Sequence, residues 1–161
     1  MDSEIARLFL TSSTQRLRQM TGYLESCLAK LTDDQIWSRG APHENSVGNL
    51  ILHLCGNMRQ WIGSGVGGEQ DVRDRPTEFS TTGGHTAADL LTHLKTTVDH
   101  AVSIIEAVTP ARLVDEIHPQ NRTVTVLEAI YQVVTHFNQH TGQVIFATKI
   151  YAGEDLGLFR P

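Results

Sequence analysis

His136 and His140 stand four residues apart within a segment, Val126 to Tyr151, whose apolar residues recur at helical spacing. At about 100° per residue the two imidazoles fall within roughly 40° of each other. They share that direction with Val126, Val133, Phe137, Val144 and Tyr151. Such a face is expected to turn inward, where an imidazole needs a bonding partner. His53 takes a similar inward position on an earlier helix. A lone core histidine is satisfied by a backbone carbonyl. An i,i+4 pair joined by a third imidazole from another helix instead points to a metal site with open coordination positions.

The neighbours of His53 add to this reading. Leu50, Asn57 and Trp61 lie within about 80° of it on one side of the helix, and Asn49 and Gln60 within about 40° on the other. A polar strip flanked by an apolar arc suits the wall of a wet pocket, because amides bind ligand atoms or orient metal ligands. Asn49, Asn57, Gln60 and Trp61 are therefore candidate pocket residues, although a tryptophan so placed is more often simply core. His93 and His100 share a face about 120° from the apolar stripe of their helix and are expected to meet solvent. His43, His85 and His118 fall in connections; His43, just before the second long helix, remains a candidate substrate contact.

Four long helices would position these groups. The first is expected from about Ser3 to Lys30, followed by a short turn at Asp33 to Trp37 capped by Thr32. The second opens at Ser46 and runs to about Ile62. Thr86 with Asp89, and Thr125 with Glu128, read as capping boxes that open the third and fourth helices, which end near Val108 and Tyr151. Thr109 and Pro110 look like the start of a brief extra turn. Between the second and third helices, Gly63 to His85 contains six glycines and is expected to be a long irregular crossover. The fold class is all-α: one domain over residues 1–161, a four-helix bundle with a long crossover between helices 2 and 3.

Composition sets limits on function. A 161-residue chain with 40% hydrophobic content is long enough for one substantial core. A formal charge of -5 without basic runs gives no electrostatic reason to expect nucleic acid or an anionic membrane as partner. No stretch approaches a membrane span and the first residues do not read as a secretory signal. Cys27 and Cys55 lie on different helices without C-x-x-C spacing. They fit reduced thiols, a cytoplasmic location and a role as small buried hydrophobes.

The segment SVGNLILHLCGNMRQWI, followed later by THFNQHTGQVIFATKIY, resembles the DinB-like/YfiT-like superfamily of metal-binding four-helix bundles. The likeness covers nearly the whole chain, and the R-D-R-P-T-E-F segment from Arg73 to Phe79 looks like a feature of one uncharacterised branch. The resemblance implies that His53, His136 and His140 bind a divalent metal, commonly zinc or nickel, and that the assembly is a homodimer. Three histidines by themselves do not choose among zinc, nickel, iron, manganese and copper.

Two chemistries suit such a site. Zinc lowers the pKa of water it binds to about 7, which opens hydrolysis. Phe137, however, follows His136 where the glutamate of an H-E-x-x-H peptidase would stand. A substrate thiol needs no carboxylate base, because a metal stabilises its thiolate directly. Some members of the superfamily are S-transferases or isomerases that use low-molecular-weight thiols. The expectation is a metal-dependent enzyme acting on a small molecule, with thiol S-transfer ahead of hydrolysis. The alternative is a non-enzymatic dimeric bundle that binds a small ligand or partner around a structural or vestigial metal site. In the crossover, Arg73 and Arg75 could hold a substrate carboxylate if the loop acts as a lid or dimer contact; otherwise it is a solvated connection. Arg16, inside the apolar arc of the first helix, is expected to reach a carboxylate or snorkel to solvent.

Overall fold

Each long helix after the first begins at a side-chain cap displayed in the sequence. In a computed structural model, which describes residues 3–158, Ser46, Thr86 and Thr125 each accept a hydrogen bond from the backbone N–H three residues on. Asn49, Asp89 and Glu128 reach back to the cap backbone in return. Thr32 and Gln35 do the same for a short helix. Each such cap is worth about 1 kcal/mol and fixes where a helix starts, and so the height of every side chain along it.

The elements are α1 (Ser3–Leu28), α2 (Asp33–Trp37), α3 (Val47–Met58), α4 (Arg75–Ser80), α5 (Ala87–Glu106) and α6 (Val126–Ala152). Two-residue strands, β1 (Glu116–Ile117) and β2 (Val124–Thr125), pair antiparallel beside the entry to α6. Helix α1 packs against α5 and α6, and α3 packs against the same two. The four long helices therefore form a bundle in which α1 faces α3 across one diagonal and α5 faces α6 across the other. Its core includes Leu17, Leu24, Ile51, Leu54, Leu94, Ile105, Ile130 and Phe137, all buried. Each such side chain contributes about 1.5–3 kcal/mol of hydrophobic burial. Gly153 ends α6 with φ of 67°, a left-handed conformation that a side chain would strain.

Two features depart from the sequence reading. Helix α3 does not stop near Ile62 but continues as a π-helix over Arg59–Val66, in which Gly63 and Val66 are buried. The crossover is not irregular throughout: it contains α4, capped by Asp74, whose side chain accepts from Thr77. Helix α4 packs on α3, so the crossover forms a wall of the bundle instead of a free loop. Arg16 takes the solvent-facing one of its two expected courses: it is exposed and donates to Gln19 at 2.8 Å.

Candidate metal centre

Helices α3 and α6 lie side by side, and the i,i+4 spacing of His136 and His140 turns both rings toward His53. The Nε2 atoms of His53 and His140 each lie 3.1 Å from Nε2 of His136. The ligand atoms of all three fall within 4.8 Å of one another. The ring planes meet at 67°, 81° and 88°, so the imidazoles point edges inward instead of stacking. His53 is buried, while His136 and His140 are half-buried.

Proton positions follow from the outer nitrogens. His53 Nδ1 lies 2.8 Å from Oε2 of Glu78. An ionised carboxylate only accepts, so Nδ1 carries the proton and Nε2 presents its lone pair. His140 Nδ1 meets the amide oxygen of Gln143, which assigns its proton the same way. Two lone pairs therefore converge on His136, whose Nδ1 is buried without a partner. Burial, then the nearby His140, His53 and Arg73, pushes the His136 imidazole down to about 4, and burial also lowers His140. Both rings are thus neutral at pH 7, the form that binds metal.

The donor set fits a divalent cation. Metal–nitrogen bonds of about 2.0–2.1 Å at tetrahedral to right angles place donor nitrogens roughly 2.9–3.4 Å apart, a range that contains the two 3.1 Å edges. Among the described residues the group has three members, all histidine, so protein ligands would fill three positions.

Behind His53 stands a buried ion pair that sequence reasoning missed. Arg73 donates to Oε1 of Glu78 through Nε at 2.7 Å and to Oε2 through a terminal nitrogen at 2.8 Å. That terminal nitrogen is also 3.1 Å from His53 Nδ1; both are donors, and they share the Glu78 oxygen. The side chains are 3% and 9% exposed. Burial pushes the Glu78 carboxyl up, but the hydrogen bonds from Arg73 and His53, with their charges, outweigh it and leave it below the usual carboxylate value. Gly56 makes room: a Cβ there would overlap Glu78 Oε1. Phe79 lays its ring 4.7 Å from that of His53. The readable signal was the D-R-P-T stretch, an Asp cap with proline in the first turn, which places Glu78 and Phe79 on a helix. Its docking on α3 has no local signature.

The remaining candidates divide. Asn49 is fully buried and structural: its oxygen accepts from Ser46 and Arg39, and its nitrogen donates to the carbonyls of Glu78 and Thr81. Gln60 links Arg73 to Asp71 at 2.8 and 2.7 Å. Asn57 and Trp61 are buried, and Asn57 Oδ1 and Trp61 Nε1 have no partner. Arg73 and Arg75, expected as a grip on a substrate carboxylate, both have partners within the chain. Glu78 already fills the Arg73 fork, and Arg75 lies over the Phe79 ring, 5.0 Å from its centroid.

Of the other histidines, His43, His85, His100 and His118 are exposed, and His100 pairs with Glu69 at 2.6 Å. His93 departs from its expected place: it is half-buried, and burial with the charge of Arg59 lowers its imidazole. Cys27 and Cys55 are buried free thiols, and burial pushes Cys55 up to about 12, which removes it as a nucleophile.

Comparison with known proteins places the chain in a family. A conserved protein from Enterococcus faecalis superposes with a TM-score of 0.77 at 18% identity, over 89% of this chain and 97% of its own. The DinB-like protein YjoA from Bacillus subtilis gives 0.68 at 19% identity, over 89% and 93% of the two chains. A DinB-like protein from Bacillus cereus gives 0.69 at 18% identity, over 92% and 93%. These likenesses establish the fold. Comparison with curated proteins finds no match. The sequence model of the family described as Protein of unknown function (DUF1572) matches residues 4–159, and the chain, which shares its helical-bundle fold with the DinB-like proteins, belongs to that family.

Proposed function

We propose that the protein is a divalent-metal-dependent enzyme acting on a small molecule, with zinc or nickel at His53, His136 and His140 and S-transfer of a low-molecular-weight thiol as its chemistry. The observation that carries the reading is the convergence of three ε nitrogens, two with their δ protons already tied to Glu78 and Gln143. The chemistry such an ion supplies is Lewis acidity, which keeps a substrate thiol deprotonated at neutral pH.

The chain's own residues favour thiol chemistry over hydrolysis. The three ligands are imidazoles, so they bring no negative charge to the cation, and an anionic thiolate is a complementary further ligand. Glu78, the carboxylate hydrogen-bonded to the group, is engaged by Arg73 and His53 and is not free to take a proton from water. A thiol nucleophile does not need that base. Three protein ligands, where a structural site has four, argue against a purely structural metal. The homodimer and the small-molecule substrate stand as parts of the same proposal.

The test is turnover of an electrophile such as 1-chloro-2,4-dinitrobenzene with a panel of low-molecular-weight thiols, using zinc- or nickel-loaded protein and a His53→Ala control. Metal-dependent thioether formation with at least one thiol, absent from the control, is expected. A loaded protein that accelerates no thiol above the control would overturn S-transfer.

A further inference from the structure

A groove of about 550 Å3 runs along the seam of α3 and α6, a volume typical of small-ligand sites. Val47 and Leu50 line it from α3, and Gln143, Phe146, Ala147 and Ile150 from α6. Leu50 precedes His53 by three residues and Gln143 follows His140 by three. The two helices therefore run antiparallel here, and the groove starts about 4.5 Å along the axis from the histidines. Gln143 belongs to both places, because the amide that lines the groove accepts from His140. At the far end the Tyr151 hydroxyl donates to the Ser38 carbonyl at 3.3 Å.

The groove has an apolar body and a charged rim. Phe146 and Ile150 are 68% and 63% exposed, a cost unless something covers them. Arg39, half-buried at the rim, donates through one terminal nitrogen to Asn49 Oδ1 and the carbonyl of Phe79, both at 2.7 Å, and to the carbonyl of Thr81 at 3.5 Å. All three acceptors are neutral, and among the described residues no carboxylate pairs with Arg39. Glu44 shares the rim but its Oε2 accepts from the backbone of Gly40 at 2.9 Å. An anchored guanidinium with its remaining donors unspent is complementary to a carboxylate.

We propose that this groove binds the body of the substrate, a small molecule with an apolar chain or ring and a carboxylate directed at Arg39, so that its other end reaches the three histidines. The proposal rests on the metal-site reading for its orientation, but the groove itself is built from residues outside the histidine group.

The test is a calorimetric or NMR titration of zinc-loaded and metal-free protein with 4-phenylbutyrate, against the uncharged 4-phenyl-1-butanol. The acid is expected to bind saturably and at least tenfold tighter than the alcohol. Ile150→Glu, a change at an exposed position, should weaken the acid at least tenfold with metal content unchanged, and Arg39→Gln should erase the preference for the acid. Should Arg39→Gln fail to fold, Ile150→Glu carries the test. Equal binding of acid and alcohol, or an Ile150→Glu protein that binds as well as wild type, would overturn the proposal. So would absence of binding in wild type together with a dimer that Ile150→Glu splits, since the groove would then be a face between copies. Binding that persists in a protein unable to take up metal would support the groove and count against the metal reading alone.

Discussion

The carboxylate of Glu78 holds His53 from behind, with Oε2 2.8 Å from Nδ1. The partners are 25 residues apart in sequence, and it is the short helix in the crossover that brings them together. Such outer partners fix the tautomer of a ligating imidazole and typically change metal affinity 10- to 100-fold. Glu78→Gln should therefore weaken metal binding about 10- to 100-fold in competition with a chelating dye. Its loss of charge leaves Arg73 buried and unpaired, a cost of about 3–5 kcal/mol in chemical denaturation. Unchanged metal affinity in a folded Glu78→Gln protein would remove Glu78 from the site.

Gly56→Ala reaches the same place without touching a charge. Alanine raises helix propensity by up to about 1 kcal/mol in a helix interior, yet here its Cβ would collide with Glu78 Oε1. The expected net result is lower stability together with weaker metal binding, because α4 must move off α3. An increase in thermal midpoint with full metal affinity would show that the close approach carries no role.

How much of this was readable from sequence depends on the range of the interaction. The caps at Ser46, Thr86 and Thr125 act within one turn, so their S/T-x-x-N/D/E spacing announces the helix starts. The i,i+4 pair His136 and His140 is likewise local, and its place on the apolar stripe pointed inward. Glu78 meets His53 only through tertiary packing, and nothing within a helical turn of either residue announces the contact. The π-helix at Arg59–Val66 was hidden by Gly63, Gly65 and Gly67, which read as loop although Gly63 is buried against the bundle. Asn49 was placed on the pocket wall because amides suit ligands; its actual partners are the carbonyls that end α4.

Asn49→Ala tests that structural role. It removes the reciprocal half of the α3 capping box and the donor to the Glu78 and Thr81 carbonyls. The expected loss is about 2–3 kcal/mol by urea denaturation, with α4 loosened and metal binding weakened as a consequence. A loss below about 0.5 kcal/mol would contradict the burial of these bonds.

Acid should act on the metal-free protein through His136. Its folded value of about 4 lies below the ordinary imidazole value of about 6.5. As pH falls the unfolded chain takes up the proton first. This contribution to stability is complete above about pH 6.5, is lost progressively toward pH 4, and falls no further below that. His140 shifts in the same direction, and Glu78, lowered from the ordinary carboxylate value, extends the loss into stronger acid. The thermal midpoint of metal-free protein should fall from pH 6.5 to pH 4. A rise over that window would contradict neutral, buried imidazoles. With metal present, proton competition should likewise begin only below about pH 6.5.

Three imidazoles from two helices should form one metal site. Elemental analysis of the purified untagged protein, beside a His53→Ala, His136→Ala, His140→Ala triple variant of matched helical content, tests it most directly. About one divalent metal per chain is expected in the first and none in the second. Equal metal content in the two proteins, or none in either after incubation with zinc and nickel, would contradict it.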